Sequence, residues 1–185
     1  MNSRVDKQHI LKEYLMNYPA SKFLSCIRLS FLFAVGSAHA VVVTPPGPAG
    51  TPIPFTASGP ATVSKAGIPI GCTIVFTGTI DGAGKVSVTS AAFSGSALCK
   101  VVKANATATT PWTGQVDNPM QLTIDNVLVN VAAPFVGGQC GPSRVTAQIR
   151  ETDGETTIGL SNVALSGGCA ISGALTTTPY LHVTH

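Results

Sequence analysis

Charge is scarce in this chain. Asp, Glu, Lys and Arg make up 10% of its 185 residues, against about a quarter in ordinary soluble domains. Aromatic residues are also few, at 6% with a single tryptophan. No histidine occurs between His39 and His182, which removes the usual general base and the commonest metal ligand from the middle of the chain. There is no G-x-S-x-G elbow and no C-x-x-C pair, so serine-hydrolase and zinc-ribbon chemistry lack their sequence signatures. No apolar run approaches the ~20 residues a membrane-spanning helix needs, and we expect no transmembrane anchor.

What is present begins with an export signal. Residues 22–40 read KFLSCIRLSFLFAVGSAHA, with Lys22 and Arg28, a short apolar stretch from Leu29 to Val35, and Ala38-His39-Ala40 at the end. A basic start, a greasy middle and a small-x-small end describe a secretory signal peptide. We therefore expect residues 1–40 to be removed, with Met16 as a start that would give a signal of ordinary length. Of eleven Lys and Arg, five precede Val41 and six follow it; of eight acids, two precede and six follow. The remaining 145 residues are net neutral, so the apparent basicity supports no nucleic-acid partner. A sparsely charged, neutral surface favours adsorption and self-association.

Residues 41–54, VVVTPPGPAGTPIP, are expected to form a Pro-rich extended lead-in, because proline excludes helix and central strand. Residues 55–185 then show no useful helical periodicity. Thr73 to Ile80, Lys85 to Ser90 and Ala97 to Lys103 read as strands. Leu122 and Ile124 share one phase while Val127, Val129 and Val131 share the other, and that phase change at Asp125-Asn126 predicts a bulge or turn. Many short strands between turn signals predict one all-β domain, an antiparallel sandwich or barrel.

A weak internal duplication organises the cysteines. CTIVFTGTIDGAGKVSVTSAAFSGSALC spans Cys72 to Cys99, and CGPSRVTAQIRETDGETTIGLSNVALSGGC spans Cys140 to Cys169. Each has an alternating strand, a Gly-bearing turn, a second strand and a Ser-rich apolar segment before the closing cysteine. With Cys26 removed in the signal, four cysteines remain in an exported chain, which reads as two disulfides. The duplicated unit favours Cys72–Cys99 and Cys140–Cys169, with crossed pairing as the rival.

The remaining polar candidates have plain alternatives. His182 and His185 lie at the C-terminus, where chains usually fray, so we expect solvated side chains. Asp81, Asp153 and Glu155 mark hairpin turns. Asp117-Asn118 and Asp125-Asn126 lack the dense acidic loop of a calcium site. Trp112 reads as core. We expect no catalytic residues, no metal and no cofactor.

The order of motifs nevertheless resembles a known family. GCTIVFTG, SGSALC, Pro111-Trp112, GQCGP and GCAISGALTT are similar to segments of the PraB-type protein activators of alkane oxidation, over about residues 55–183. The resemblance implies a small secreted bacterial protein that assists hydrocarbon use through surface or emulsifying behaviour, and it implies no catalytic residues. Its partner would be a hydrocarbon or the oil–water interface, with self-association as a further mode. The alternative reading is a structural or adhesive subunit of a surface fibre or biofilm matrix, on the same Thr/Gly/Ala richness.

Overall fold

Alternation of apolar and small polar residues builds the whole of this fold. The computed structural model describes residues 40–48, 50–133 and 137–185; the expected signal peptide, with Cys26 and His39, lies outside the described residues. Among the described residues eleven strands follow one another, joined by turns, loops and one 3-10 helix: β1 (Val42–Thr44), β2 (Ile53–Lys65), β3 (Ile68–Ile80), β4 (Lys85–Gly95), a 3-10 helix (Ala97–Val101), β5 (Val102–Ala104), β6 (Trp112–Asn118), β7 (Gln121–Val131), β8 (Gly138–Thr152), β9 (Glu155–Leu165), β10 (Cys169–Thr178) and β11 (His182–Thr184).

Antiparallel pairing runs β7-β6-β4-β3-β2-β10-β9-β8, and β8 pairs back onto β7. The all-β prediction therefore resolves to a closed eight-stranded barrel. Closure matters because it removes edges at which sheets aggregate, apart from residues 89–95 of β4, which ladder on β3 alone among the described residues. β5 continues the position of β6 farther along β7, pairing Val102 to Val131 and Ala104 to Val129.

Register follows the predicted phases. Val86 and Val88 face inward from β4, and Leu122, Val127, Val129 and Val131 face inward from β7. The phase change at Asp125-Asn126 is a bulge: pairing with β8 slips between Ile124 and Val127, and Asn126 adopts φ 61°. The extra residue returns the valines to the core after Ile124 has faced it.

Two prolines and a glycine show how the barrel tolerates its composition. Pro60 lies within β2, where it pairs with Thr73 of β3. On its other side the β10 ladder is interrupted between Gly173–Ala61 and Thr176–Ser58, so the missing N–H falls at a gap. Gly59 permits that gap, since a Cβ there would lie 2.1 Å from the Ala174 carbonyl oxygen. Pro54 sits near the start of the same strand.

One element departs from expectation. Of the run Ala97 to Lys103, only Val102 and Lys103 are strand, in β5; Ala97–Val101 turns as a 3-10 helix. Gly95 leaves β4 with φ 113°, and the turn carries Cys99 inward to meet Cys72, so the cross-link outweighs the β propensity of Val101. The favoured pairing is the one present: Cys72–Cys99 and Cys140–Cys169, each with Cα atoms 5.7 Å apart.

Both disulfides staple the same end of the barrel, where β3, β8 and β10 begin. Lys65 reinforces that end, its ammonium donating to the carbonyls of Gln139 and Gly167. The opposite end is covered by the two-stranded ribbon of β1 and β11. Val43 donates its N–H to the Gly82 carbonyl in the β3–β4 turn, and Val43, Leu181 and Val183 are buried with the barrel core.

Candidate functional site

The barrel interior is the concave feature that the strands jointly build. Each strand sends alternate residues inward, and nearly all are Val, Ile, Leu, Ala, Phe or Trp. Small residues at inward positions leave the packing incomplete: Ala57 from β2 and Ala147 from β8 face a cavity of about 60 Å³ that is walled also by Phe55, Val88, Trp112 and Leu160. No polar atom faces this cavity. Trp112 is buried, as expected, and meets Phe76 edge-on with ring centroids 5.9 Å apart and planes at 73°. A second void of about 20 Å³ lies toward the β1–β11 ribbon and shares Phe55, Val86, Leu122 and Ile158 with the first.

Two threonines stand out in the otherwise apolar interior near the ribbon. Thr156 donates from its hydroxyl to the Leu181 carbonyl at 2.7 Å and accepts from the Leu181 N–H at 2.9 Å. Thr177 is 4% exposed, and its hydroxyl has no partner among the described residues.

The polar groups singled out in the sequence are dispersed around the barrel. Asp81 caps the β3–β4 turn, accepting from the N–H groups of Ala83 and Lys85. Asp117 accepts from Gln121 and Thr123, Asp125 pairs with Arg144, and Glu155 accepts from the Thr176 hydroxyl. Asp153 sits in the β8–β9 turn with φ 50°. Among the described residues no three His, Cys, Asp or Glu side chains gather at one place.

The His182 side chain is exposed, as expected, but the residue is held in a strand instead of a frayed tail. It lies in β11, and its Nδ1 is 2.7 Å from Glu151 Oε2. The same carboxylate accepts from the Tyr180 hydroxyl at 2.9 Å and from the Val183 N–H at 2.8 Å. Burial pushes the Glu151 carboxyl up, but the bonds from His182, Val183 and Tyr180 outweigh it and hold the group below the ordinary carboxylate range. Bonding to Glu151 raises the Tyr180 phenol above its ordinary value. This latch was invisible in sequence because Glu151 and His182 are 31 positions apart; only the β1–β11 pairing brings them together.

The main cavity is walled by carbon alone. A family model described as alkane oxidation protein activator PraA/PraB-like matches residues 18–185. The chain belongs to this PraA/PraB-like family. No curated protein and no solved structure matches the chain. The match includes the barrel, both disulfides and the ribbon. The family description names an activator of alkane oxidation, and no helix among the described residues is long and apolar enough to cross a membrane.

Proposed function

We propose that this member of the PraA/PraB-like family is an exported, non-enzymatic accessory protein that promotes hydrocarbon use by adsorbing at oil–water boundaries. The observation that carries the reading is the combination of the family match with a barrel whose interior is carbon-walled. An alkane offers no polar handle, so its recognition rests on apolar area at about 25 cal/mol per Å² removed from water. Export is supported by residues 22–40 and by two disulfides, which persist in oxidising compartments. Surface activity is supported by the six positive and six negative side chains after Ala40.

Growth on hexadecane, with and without the protein, against growth on a soluble carbon source tests the role. The expected outcome is a defect confined to hexadecane and restored by added protein, together with lowered interfacial tension and no consumption of alkane. Equal growth on both sources with no interfacial activity would overturn it.

One observation favours the second reading, a fibre or matrix subunit. β4 pairs with β6 only over Lys85–Val88, which leaves residues 89–95 laddered on the β3 side alone among the described residues. A free edge of this kind accepts a strand from another chain. Filaments in electron micrographs of the secreted material would move the assignment there.

A further inference from the structure

The outside and the inside of the barrel offer an alkane very different surfaces. Outside, the large apolar side chains exposed among the described residues are Ile68, Leu98, Met120 and Tyr180. Ile68 and Leu98 belong to the disulfide-stapled end, while Met120 and Tyr180 lie at the ribbon end, so they do not merge into one broad patch. Inside, the cavity of about 60 Å³ is enclosed by residues of all eight barrel strands and presents carbon alone. An unfilled core void lowers stability, since its lining loses contact partners. Ala57 and Ala147 keep this one open where a larger aliphatic side chain would close it.

From this contrast we infer that the barrel interior beside Trp112 binds the end of a linear saturated hydrocarbon chain; the inference rests on the alkane-directed reading above. The cavity is less than half the ~150 Å³ that accommodates benzene, so a rigid ring does not enter, while a chain of narrower cross-section enters by its end as far as the neighbouring side chains yield. The four side chains shared with the second void, Phe55, Val86, Leu122 and Ile158, lie between the two spaces. Their rotation lengthens the site toward Leu181 and Val183 of the ribbon and sets the direction of the chain. A hydroxyl or carboxylate carried into the main cavity would find no partner there, so the end seated beside Trp112 is a hydrocarbon end. The second void, by contrast, is lined in part by Thr177, whose hydroxyl has no partner among the described residues.

The test uses the purified, disulfide-bonded protein and n-pentane below its solubility limit, with no oil droplet present. Trp112 emission and the methyl NMR signals of Val88, Leu122, Ala147 and Leu160 are followed. Saturable shifts confined to these interior groups are expected. Ala147→Leu, which fills the void, should weaken pentane binding at least about tenfold, equivalent to about 1.4 kcal/mol, and Val145→Ala should strengthen it. Should Ala147→Leu not fold, Ala57→Val carries the same expectation. Absence of saturable shifts in the unmodified protein overturns the site, as do shifts confined to Ile68, Leu98 and Met120. Undiminished binding in a folded filling variant does the same. Because no oil surface enters the measurement, interior binding can fail while interfacial activity and the growth effect stand. Conversely, interior binding without a growth effect would remove the accessory role and leave the site.

Discussion

Thr177 shows how one side chain can work against its surroundings. Its hydroxyl is buried without a partner among the described residues, beside a void walled mainly by carbon. A buried unsatisfied hydroxyl costs about 1–3 kcal/mol, whereas valine has nearly the same shape and leaves nothing to satisfy. Thr177→Val should therefore raise stability by about 1 kcal/mol, seen as a higher midpoint in denaturant at unchanged slope. Thr156 gives the contrasting case. Its hydroxyl both donates to and accepts from Leu181, so Thr156→Val should lower the midpoint. The two threonines look alike in sequence, each in an alternating strand; what separates them is whether the chain entering β11 passes within reach.

Among the elements, the ribbon of β1 and β11 has the least area of its own and depends most on side-chain bonds. Each strand spans three residues, too few for an independent hairpin. Glu151 on β8 holds it through His182, Tyr180 and the Val183 N–H. Because the folded carboxyl lies below its ordinary value, the sign of the pH dependence follows. The contribution is fully present above the unfolded pKa, about 4.3, and is lost as pH falls through the lower folded value. Protection from hydrogen exchange at Val43 and Val183, taken relative to the intrinsic rate at each pH, should therefore fall on acidification below about pH 4, while protection in β3 is kept. Glu151→Gln should abolish that acid step and cost roughly 1–2 kcal/mol at neutral pH, after allowance for its partial exposure. An acid step that survives in Glu151→Gln would place the titrating group elsewhere.

At the scale of the whole molecule, the two disulfides and the closed sheet share the work of stabilisation. The cross-links close loops with separations of 27 and 29 residues, each contributing about 3–4 kcal/mol through the unfolded state. Removing either pair as Cys72→Ala/Cys99→Ala or Cys140→Ala/Cys169→Ala should lower stability by that amount in denaturant titrations. The losses should add when both are removed, because the bridges close separate loops. A variant pair that leaves the midpoint unchanged would show that its loop is already constrained when reduced.

Period-2 alternation in Val86 and Val88, the slip of phase at Asp125-Asn126 and the repeated cysteine-bounded unit were legible in the chain, because side-chain direction in a strand depends on local backbone geometry alone. They carried the all-β class, the bulge and the favoured cysteine pairing. Local pattern could not carry what depends on distant partners. Closure of the sheet rests on β7 meeting β8, the bending of residues 97–101 rests on Cys99 reaching Cys72, and the ordering of His182 rests on Glu151. The cavity belongs to the same class: Ala57 and Ala147 are ordinary inward residues along their own strands. They leave a space only because the barrel brings them to the same cavity wall, beside Trp112.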